Sequence, residues 1–578
     1  MLGAPDLTSG SRRRRGSRVR SWCTAAAATA ATAALAVSGL ALGGPSASAQ
    51  PVTSPVPAAA AAAAGASAIA WQTCRSGFDC GRVQVPLDHD QPGEDTISLS
   101  LIRLPASSPS RRIGSLFLNP GGPGGSGVEF ARDIAKFMPL EIRARFDIVG
   151  FDPRGIGEST PLRCFDTFAE SVAVLPAFSF PVTTEQEREQ RAANRTLAAA
   201  CAEHAGPILN HMSTADVARD LDALREAVGD SRLSYVGFSY GSILGQTYAN
   251  LFPHRVRALV IDGVVDPIAW TTGYGAANRR LPFSTRIGSA VGSQATLDEF
   301  FRLCDLAGPD CALAGDASGR FAALAARLRE KPLEIIDPGT GQVFPLTYDL
   351  LISATLGALY QPESWPELAA LLADVHAQAS TARIGRQLKA LLRHSEAPQE
   401  LYPNLVEGGP GVACSDSSNP RRFRAWRTAA DRAEREQGYF GRLWTWTWSV
   451  CQSWPRSAGE DRYQGPWTAR TAKPVLVVGN YFDPATPYPG ARTAARLLPN
   501  SRLLSYAGWG HSAFFIRANY CIDSRVTTYL VTTRTPRRGT VCQPEGSPFG
   551  PTSAALASKV SATYPRGGPL GSGLVVSR

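Results

Sequence analysis

One serine lies in a sequence context that would make it a nucleophile. Gly237-Phe238-Ser239-Tyr240-Gly241 is the only G-x-S-x-G pattern in the chain. Residues 233–236 before it are typical of a buried strand, and a helical pattern begins at Ser242. Small residues on both sides of a sharp strand-to-helix turn let neighbouring segments approach and lift the serine hydroxyl above the sheet edge. The pattern therefore predicts that Ser239 attacks an acyl carbon, and an ordinary glycine-rich turn is the less favoured interpretation.

A serine nucleophile needs a base, and the base needs an acid that orients it. In this type of site the chain order is serine, acid, histidine. Three histidines follow Ser239 at a distance, and two of them, His376 and His394, lie in helical patterns that favour a surface or packing role. His511 instead follows the strand-like run 503–506 through a glycine-containing loop, so we predict that it is the general base.

The orienting acid is predicted to be Asp483. It follows the apolar run 475–478, which is the predicted strand directly before the strand that leads to His511. Asp262 and Asp266 are the rivals, because they follow the predicted strand after the serine turn. Asp483 is favoured over this position partly because Asp262 directly adjoins an apolar run.

A glycine-rich loop supplies the hydrogen-bond donors that a tetrahedral intermediate needs. Residues 119–127 contain five glycines and follow the strand-like run 115–118. Exposed backbone N–H groups in such a loop can stabilise an oxyanion. We predict that the donors are the amides of Gly122 and Tyr240. A phosphate-binding loop is disfavoured, because the segment lacks a lysine and G-x-G-x-x-G spacing before a helix.

The elements around these residues predict an α/β fold with a doubly wound, mostly parallel sheet. Helical patterns at 214–228 and 242–251 alternate with strand-like runs. These runs are 96–104, 115–118, 146–151, 233–236, 258–261, 475–478 and 503–506. The middle of the chain departs from that rhythm and predicts a large helical lid inserted between two strands. Its helical stretches are 295–306, 319–330, 350–359, 364–378 and 429–437.

Five segments, taken in order, give the chain a family resemblance. They resemble the proline-iminopeptidase-like α/β hydrolases, and more closely the secreted tripeptidyl aminopeptidases of actinomycetes. The segments are Pro120-Gly121-Gly122-Pro123-Gly124, Phe151-Asp152-Pro153-Arg154-Gly155-Ile156-Gly157-Glu158-Ser159, Gly237-Phe238-Ser239-Tyr240-Gly241, Asp483-Pro484-Ala485-Thr486-Pro487 and Gly510-His511-Ser512. The resemblance spans about residues 70–545, with Pro120 in the place where intracellular iminopeptidases carry histidine. It implies an α/β-hydrolase fold and a serine exopeptidase with a helical lid, with Gly122 as an oxyanion donor and no cofactor.

Composition divides the chain into six predicted segments. The N-terminus reads as a signal peptide, with clustered arginines, a weakly apolar stretch and the cleavage site Ala47-Ser48-Ala49. We expect a signal peptide at 1–49, a flexible leader or pro-segment at 50–69, a first core part at 70–266, a mostly helical lid at 267–465, a C-terminal TAP-like core part at 466–545 and a flexible tail at 546–578. The protein is therefore predicted to be secreted, by the Sec or the twin-arginine route. A membrane anchor is not expected, because the apolar stretch is alanine-rich and interrupted by glycine.

Ten cysteines remain after the predicted signal peptide, an even number that implies disulfides in an exported protein. They fall into neighbouring pairs, so we predict Cys74–Cys80, Cys164–Cys201, Cys304–Cys311, Cys414–Cys451 and Cys521–Cys542. No metal site is expected, because C-x-x-C is absent and no histidine stands at ligand spacing from the cysteines. The net charge of +10 includes no basic stripe after Arg20, which argues against a nucleic-acid partner.

The sequence leaves the substrate open. An aminopeptidase must bind a free α-ammonium with a carboxylate, for which Glu407 and Asp416 of the predicted lid are candidates, although a solvated surface role fits either residue. A secreted aminopeptidase acting on peptides is the favoured hypothesis, with a monomer as the expected state. A secreted esterase, lipase or amide hydrolase with the same triad is the alternative, and a non-catalytic binding protein is the least favoured.

Overall fold

A central β-sheet with helices on both faces organises the described part of the chain. The computed structural model describes residues 69–75, 77–337, 339, 341–392, 404 and 406–550. The predicted signal peptide, the predicted leader except residue 69, and residues 551–578 of the predicted tail lie outside these residues. Within the described residues, no helix combines the length and the apolar character that a membrane crossing needs.

Ten strands form one sheet in the order β1-β2-β3-β5-β4-β6-β7-β10-β11-β12. The strands of the described residues are β1 (Gln72–Arg75), β2 (Phe78–Pro86), β3 (Thr96–Leu104), β4 (Gly114–Asn119), β5 (Phe146–Phe151), β6 (Leu233–Phe238), β7 (Val256–Asp262), β8 (Leu333–Ile336), β9 (Val343–Leu346), β10 (Val475–Phe482), β11 (Arg502–Trp509) and β12 (Val541–Cys542). The pairs among β1, β2, β3 and β5 are antiparallel, and the remaining pairs of this sheet are parallel. β8 and β9 form a separate antiparallel hairpin.

Side chains that alternate along the central strands fill two apolar layers. In β10, Val475 and Val477 belong to one buried cluster, whereas Leu476 and Val478 belong to the other. Successive residues of a strand point to opposite faces, so a strand that is covered on both faces reads as a continuous apolar run. This is why the sequence revealed β4, β5, β6, β7 and β10 without any alternation of apolar and polar residues.

Helices cover both faces of the sheet. The smaller cluster is covered by α1 (Gly127–Ile134), α2 (Leu140–Arg145) and α19 (Tyr520–Thr532). The larger cluster includes residues of α4 (Thr184–His204), α5 (Thr214–Ala227), α6 (Gly241–Leu251) and α18 (Tyr488–Leu497). A short helix, α3 (Phe168–Ala173), precedes α4. The predicted α/β class, a mostly parallel doubly wound sheet, is confirmed.

The chain between β7 and β10 is mostly helical, and we call residues 267–465 the helical insertion. Beside the β8–β9 hairpin it contains α7 (Pro267–Thr271), α8 (Gly275–Asn278), α9 (Phe283–Arg286), α10 (Ser289–Ala307), α11 (Ala317–Glu330), α12 (Tyr348–Leu359), α13 (Trp365–His376), α14 (Thr381–Leu392), α15 (Gly408–Asp416), α16 (Phe423–Gln437) and α17 (Gly441–Thr447). Its buried aromatic residues, such as Phe300 and Trp365, belong to the same cluster as one face of the sheet.

The structure adds elements for which sequence patterns gave no prediction. The strands β1, β2 and β12 and the β8–β9 hairpin are new, and α10 begins six residues before the predicted helical stretch 295–306. The first turns of α10 contain Ser289 and Ser293, whose buried hydroxyls donate to carbonyl oxygens of Ala485 and Pro484. These polar contacts interrupt the apolar periodicity by which a helix is recognised.

Five disulfides join the predicted partners: Cys74–Cys80, Cys164–Cys201, Cys304–Cys311, Cys414–Cys451 and Cys521–Cys542. The predicted pairing is therefore confirmed. Two of these bonds lie in the helical insertion, one in each half of it.

Candidate active site

Ser239 lies at the tip of the turn between β6 and α6. Its backbone has a φ of 57°, in the left-handed region that costs a residue other than glycine about 1–2 kcal/mol. The Ser239 amide donates to the Asp262 carbonyl oxygen at 2.9 Å, and the Ser242 amide donates to the Ser239 carbonyl oxygen at 2.8 Å. The turn is thus fixed to the end of β7, and the strained serine is half-buried. A strained serine at the carboxyl end of a central strand is the geometry of a nucleophile elbow.

The glycine-rich loop after β4 lies directly against this turn. Gly121 has a φ of +93°, and a Cβ atom placed on it would lie 2.4 Å from the Phe238 carbonyl oxygen and 2.8 Å from Ser239 Cβ. Only glycine permits this approach. The amides of Gly122 and Tyr240 make no hydrogen bond to any other described residue. The two predicted oxyanion donors therefore belong to segments in contact with each other, and both are free to donate.

Asp483 and His511 form a buried pair across the carboxyl ends of β10 and β11. His511 Nδ1 lies 2.9 Å from Asp483 Oδ1 and 3.0 Å from Oδ2. Both side chains are at most 2% exposed. The Asp483 carboxylate also accepts from the amides of Ala485 and Thr486 and from the Thr486 hydroxyl. These donors leave the carboxylate in one orientation, facing the imidazole.

The same contacts decide the charge of Asp483. Burial acts to raise the pKa of this carboxyl, but His511 and the amides of Thr486 and Ala485 outweigh burial and hold the pKa below its usual value. Asp483 is therefore ionised at neutral pH. An ionised acceptor at Nδ1 places the imidazole proton on that atom and leaves Nε2 free to accept a proton.

Asp262, the first rival acid, makes no hydrogen bond to the His511 ring. Its carboxylate accepts from the amides of Ala513 and Phe514, at distances of 2.7–3.1 Å, in the loop just after His511. Burial, with a further contribution from Asp483, raises the pKa of Asp262 to about 6. Asp262 therefore holds the backbone of the histidine loop, while Asp483 contacts the ring.

The other residues that the sequence brought into consideration lie elsewhere. Asp266 caps α7, where it accepts from the amides of Ile268 and Ala269. His376 is exposed in the last turn of α13, and His394 lies outside the described residues.

Ser239 and His511 both lie next to the backbone of Asp262 and Gly263. No hydrogen bond joins their side chains in the described structure. The Ser239 amide is bonded to the Asp262 carbonyl oxygen. A Cβ atom on the next residue, Gly263, would lie 3.1 Å from His511 Cε1. Hydrogen bonds between nucleophile and base are often long in unliganded sites and shorten when substrate binds.

Arg517 fixes the histidine loop, and no sequence pattern indicated it. The side chain is 4% exposed. Its guanidinium donates to the carbonyl oxygens of His511, Ser512 and Tyr360 and forms an ion pair with Glu363 at 3.0 Å. Tyr360 and Glu363 belong to the helical insertion, so Arg517 joins the insertion to the loop that carries the histidine. The signal that would have revealed it is a charged residue close to His511 in a segment rich in phenylalanine.

The helical insertion contacts all three loops of the site. Ser289 and Ser293 donate to the carbonyl oxygens of Ala485 and Pro484 beside Asp483. The Tyr360 carbonyl oxygen accepts from the His511 amide at 3.0 Å. At the glycine loop, a Cβ atom on Gly124 would lie 2.9 Å from the Gly409 nitrogen. The insertion therefore contacts each of these loops at the carboxyl ends of the strands.

The two candidate carboxylates of the insertion differ in their surroundings. Asp416 is buried and already accepts from the Thr214 amide and hydroxyl and from Trp270 Nε1, at 2.5–2.9 Å. Thr214 Oγ1 also lies 2.5 Å from the Tyr240 hydroxyl, so Asp416 is linked to the residue after the predicted nucleophile. Its oxygens are therefore engaged in holding the site together rather than available to a ligand.

Glu407 directly precedes Gly408 and Gly409, the residues that contact the glycine loop. Its side chain is buried, and Oε1 accepts from the Cys164 amide at 3.4 Å, which is a long hydrogen bond. Of the two candidates, Glu407 lies nearer in sequence to the contact between the insertion and the glycine loop.

Comparison with known proteins gives matches to two family models and to several relatives that align over most of this chain. A model described as alpha/beta hydrolase fold matches residues 114–285, and one described as TAP-like protein matches residues 437–542. The tripeptidyl aminopeptidase of Streptomyces lividans is 32% identical over 495 residues, covering 83% of this chain and 88% of the relative. Serine protease Hip1 of Mycobacterium tuberculosis is 31% identical, with coverage of 82% and 91%. Carboxylesterase B of Mycobacterium tuberculosis is 32% identical, with coverage of 82% and 90%.

Proposed function

Because the chain belongs to the α/β-hydrolase family of serine peptidases that includes the tripeptidyl aminopeptidases, we propose that it is a secreted exopeptidase that releases short peptides from free N-termini. The protein is a serine hydrolase. The proposal assigns Ser239 as nucleophile, His511 as base and Asp483 as orienting acid. The observation that carries it is the buried hydrogen bond between His511 Nδ1 and an ionised Asp483, beside a strained serine turn.

The proposed reaction proceeds through an acyl-enzyme. Ser239 Oγ attacks the carbonyl carbon of the scissile peptide bond, and His511 Nε2 takes the hydroxyl proton. The oxygen of the tetrahedral intermediate accepts hydrogen bonds from the amides of Gly122 and Tyr240. His511 then gives its proton to the leaving amine. Water, activated by the same histidine, releases the acyl fragment and restores Ser239.

Asp483 contributes by fixing the base. Its carboxylate holds the Nδ1 proton of His511 and stabilises the imidazolium that forms after proton transfer. The amide and hydroxyl donors of Ala485 and Thr486 hold this carboxylate in place without reorganisation. The burial of the pair strengthens their interaction, because little water competes with it.

The helical insertion supports the choice of an exopeptidase. We propose that residues 267–465 act as a lid between two parts of a hydrolase core, residues 70–266 and 466–545. A covered site admits a chain end more readily than the middle of a folded protein. Glu407 is the proposed partner of the substrate ammonium, because it directly precedes Gly408 and Gly409, the residues of the insertion that contact the glycine loop.

Three substrates test this proposal: a tripeptide anilide with a free amine, its N-acetylated twin and a short-chain aryl ester. We expect the free amine to be preferred at least about tenfold in kcat/KM, since a charge-assisted hydrogen bond is worth about 1.5–3 kcal/mol. Glu407→Gln should remove the preference and leave ester hydrolysis intact. Glu334→Gln, which changes an exposed carboxylate of the same insertion, should leave the preference unchanged. Equal rates on the free and blocked tripeptides would contradict the aminopeptidase proposal.

A secreted esterase is the second candidate, and the similarity to carboxylesterase B of Mycobacterium tuberculosis favours it. The same triad would cleave an ester, because only the leaving group differs. Fast hydrolysis of the aryl ester without cleavage of either tripeptide anilide would establish this alternative.

Export is part of the proposal. We propose that residues 1–49 are removed as a signal peptide. Five disulfides support an oxidising compartment, since cytosolic thiols are normally kept reduced. N-terminal sequencing of the protein from culture medium tests the cleavage position, and gel filtration tests the proposed monomer.

A further inference from the structure

Tyr360 of the helical insertion lies against the proposed base. It follows α12, and its ring centroid is 5.0 Å from that of His511, with the two planes inclined by 64°. Its carbonyl oxygen accepts from the His511 amide and from Arg517. Both the ring and the backbone of Tyr360 are thereby held at the histidine.

The hydroxyl of Tyr360 has no hydrogen-bond partner among the described residues, although the residue is only 8% exposed. The hydroxyl itself keeps a small accessible surface, so a ligand atom can reach it. Two other buried tyrosines are paired: the hydroxyl of Tyr235 donates to the Gly241 carbonyl oxygen, and that of Tyr248 donates to Asp222. An unpaired polar group beside reactive residues indicates a place for a ligand atom.

Tyr360 presents this hydroxyl in its protonated form. Burial, with a contribution from the charge of Asp483, raises the pKa of Tyr360 far above its usual value. Its O–H group is therefore a hydrogen-bond donor throughout the pH range in which a histidine base works.

The position of Tyr360 assigns it to the leaving-group side of the site. The proposed base gives its proton to the departing amine, so a residue packed on His511 lies near the fragment beyond the scissile bond. The glycine loop, which supplies the proposed oxyanion donors, instead contacts Gly408 and Gly409 of the insertion.

We propose that the Tyr360 hydroxyl binds the leaving fragment of a peptide, by donating a hydrogen bond to the first carbonyl oxygen after the scissile bond. This inference rests on the proposed peptidase function and adds to it a binding site for the released chain. A peptide of four or more residues offers such an oxygen, whereas an anilide does not.

Tyr360→Phe tests the proposal with two substrates that share the same first three residues, a pentapeptide and a tripeptide anilide. We expect kcat/KM for the pentapeptide to fall about three- to tenfold, the effect of one neutral hydrogen bond, and that for the anilide to stay within about twofold of wild type. Tyr274→Phe is the matched control, because the Tyr274 hydroxyl of the same insertion is already bonded to Asp266. This control should change neither rate.

Two results would overturn the inference. A Tyr360→Phe variant that cleaves both substrates like wild type, or that loses equally on both, shows that the hydroxyl does not bind the leaving fragment. If wild type hydrolyses an aryl ester but neither the pentapeptide nor the anilide, the proposed peptidase function fails, and the inference fails with it.

Discussion

Asparagine substitutions at Asp483 and Asp262 form a matched pair that separates the orientation of His511 from the support of its loop. Both residues are buried carboxylates at the carboxyl ends of adjacent parallel strands, β10 and β7. Asp483 contacts the His511 ring, while Asp262 contacts only the amides of Ala513 and Phe514. The chemical change, oxygen to NH₂, is the same at both positions.

At Asp483 the substitution removes the acceptor that fixes the histidine tautomer. The two carboxylate oxygens face donors from Ala485, Thr486, Ser512 and His511. An asparagine keeps one oxygen and directs an N–H group at some of these donors. If the NH₂ group faces Nδ1, the imidazole proton moves to Nε2 and the base can no longer accept a proton from Ser239. The resulting loss in kcat is about 10⁴-fold.

At Asp262 the loss falls on stability. One backbone amide, of Ala513 or Phe514, loses its acceptor, which costs about 1–3 kcal/mol of unfolding free energy. Activity should fall less than about tenfold, because the His511–Asp483 hydrogen bond persists.

Measurement of kcat/KM on a tripeptide anilide from pH 5 to 9, with urea unfolding of the same preparations, checks both expectations. Because the pKa of Asp483 is held below its usual value, the carboxylate should stay ionised over this whole range, so the ratio of wild-type to Asp483→Asn activity should not collapse towards pH 5. An Asp262→Asn variant less active than Asp483→Asn, or an Asp483→Asn variant with more than about a tenth of wild-type activity, would refute this assignment of the acid.

Three further predictions concern the nucleophile, its neighbour and the pH dependence of stability. Ser239→Ala should abolish hydrolysis and labelling by a serine-directed fluorophosphonate; retention of a large share of activity would exclude Ser239 as nucleophile. Thr214→Val breaks the link between the Tyr240 hydroxyl and Asp416. It should lower kcat about tenfold with little change in KM, whereas Thr214→Ser should behave as wild type; equal activity of the two variants would show that the link is dispensable. Burial raises the pKa of Asp416 to about 6 and of Asp523 to about 7, above the values of about 4 in the unfolded chain. The folded state then binds more protons between about pH 4 and 7, so the thermal midpoint should rise as the pH falls from about 7.5 to 5.5, and a fall over that range would contradict the expectation.

Sequence reasoning succeeded where local chemistry and buried strands coincide. The strands β4 to β7 and β10 are continuous apolar runs, and the residues proposed for catalysis follow their carboxyl ends, so strand positions predict the location of Ser239 and Asp483. The G-x-S-x-G pattern has its own steric cause in the turn, which makes it recognisable without any tertiary contact.

The remainder depends on contacts between distant segments. Tyr360 lies 151 positions before His511, and no sequence pattern predicts that their rings are in contact. The sequence does not distinguish Arg517 from the other arginines, because its role depends on the backbone carbonyl oxygens to which it donates. In β2 a usable signal existed, because buried Val83 and Val85 alternate with exposed Arg82 and Gln84. By contrast, β12 has only two residues, too few for any pattern.

The local pairing of the cysteines has a consequence for how the enzyme holds together. None of the five disulfides links the chain before α14 to the chain from α15 onward. Ser239 lies in the first of these two pieces, and Asp483 and His511 lie in the second. The register between β7 and β10, with residues 259–262 beside 475–478, therefore joins the nucleophile to its base without a covalent cross-link. The chain could therefore be expressed as two separate halves, divided between α14 and α15. Catalytic turnover of the mixed halves would then measure how far β7 and β10 have paired again in one sheet.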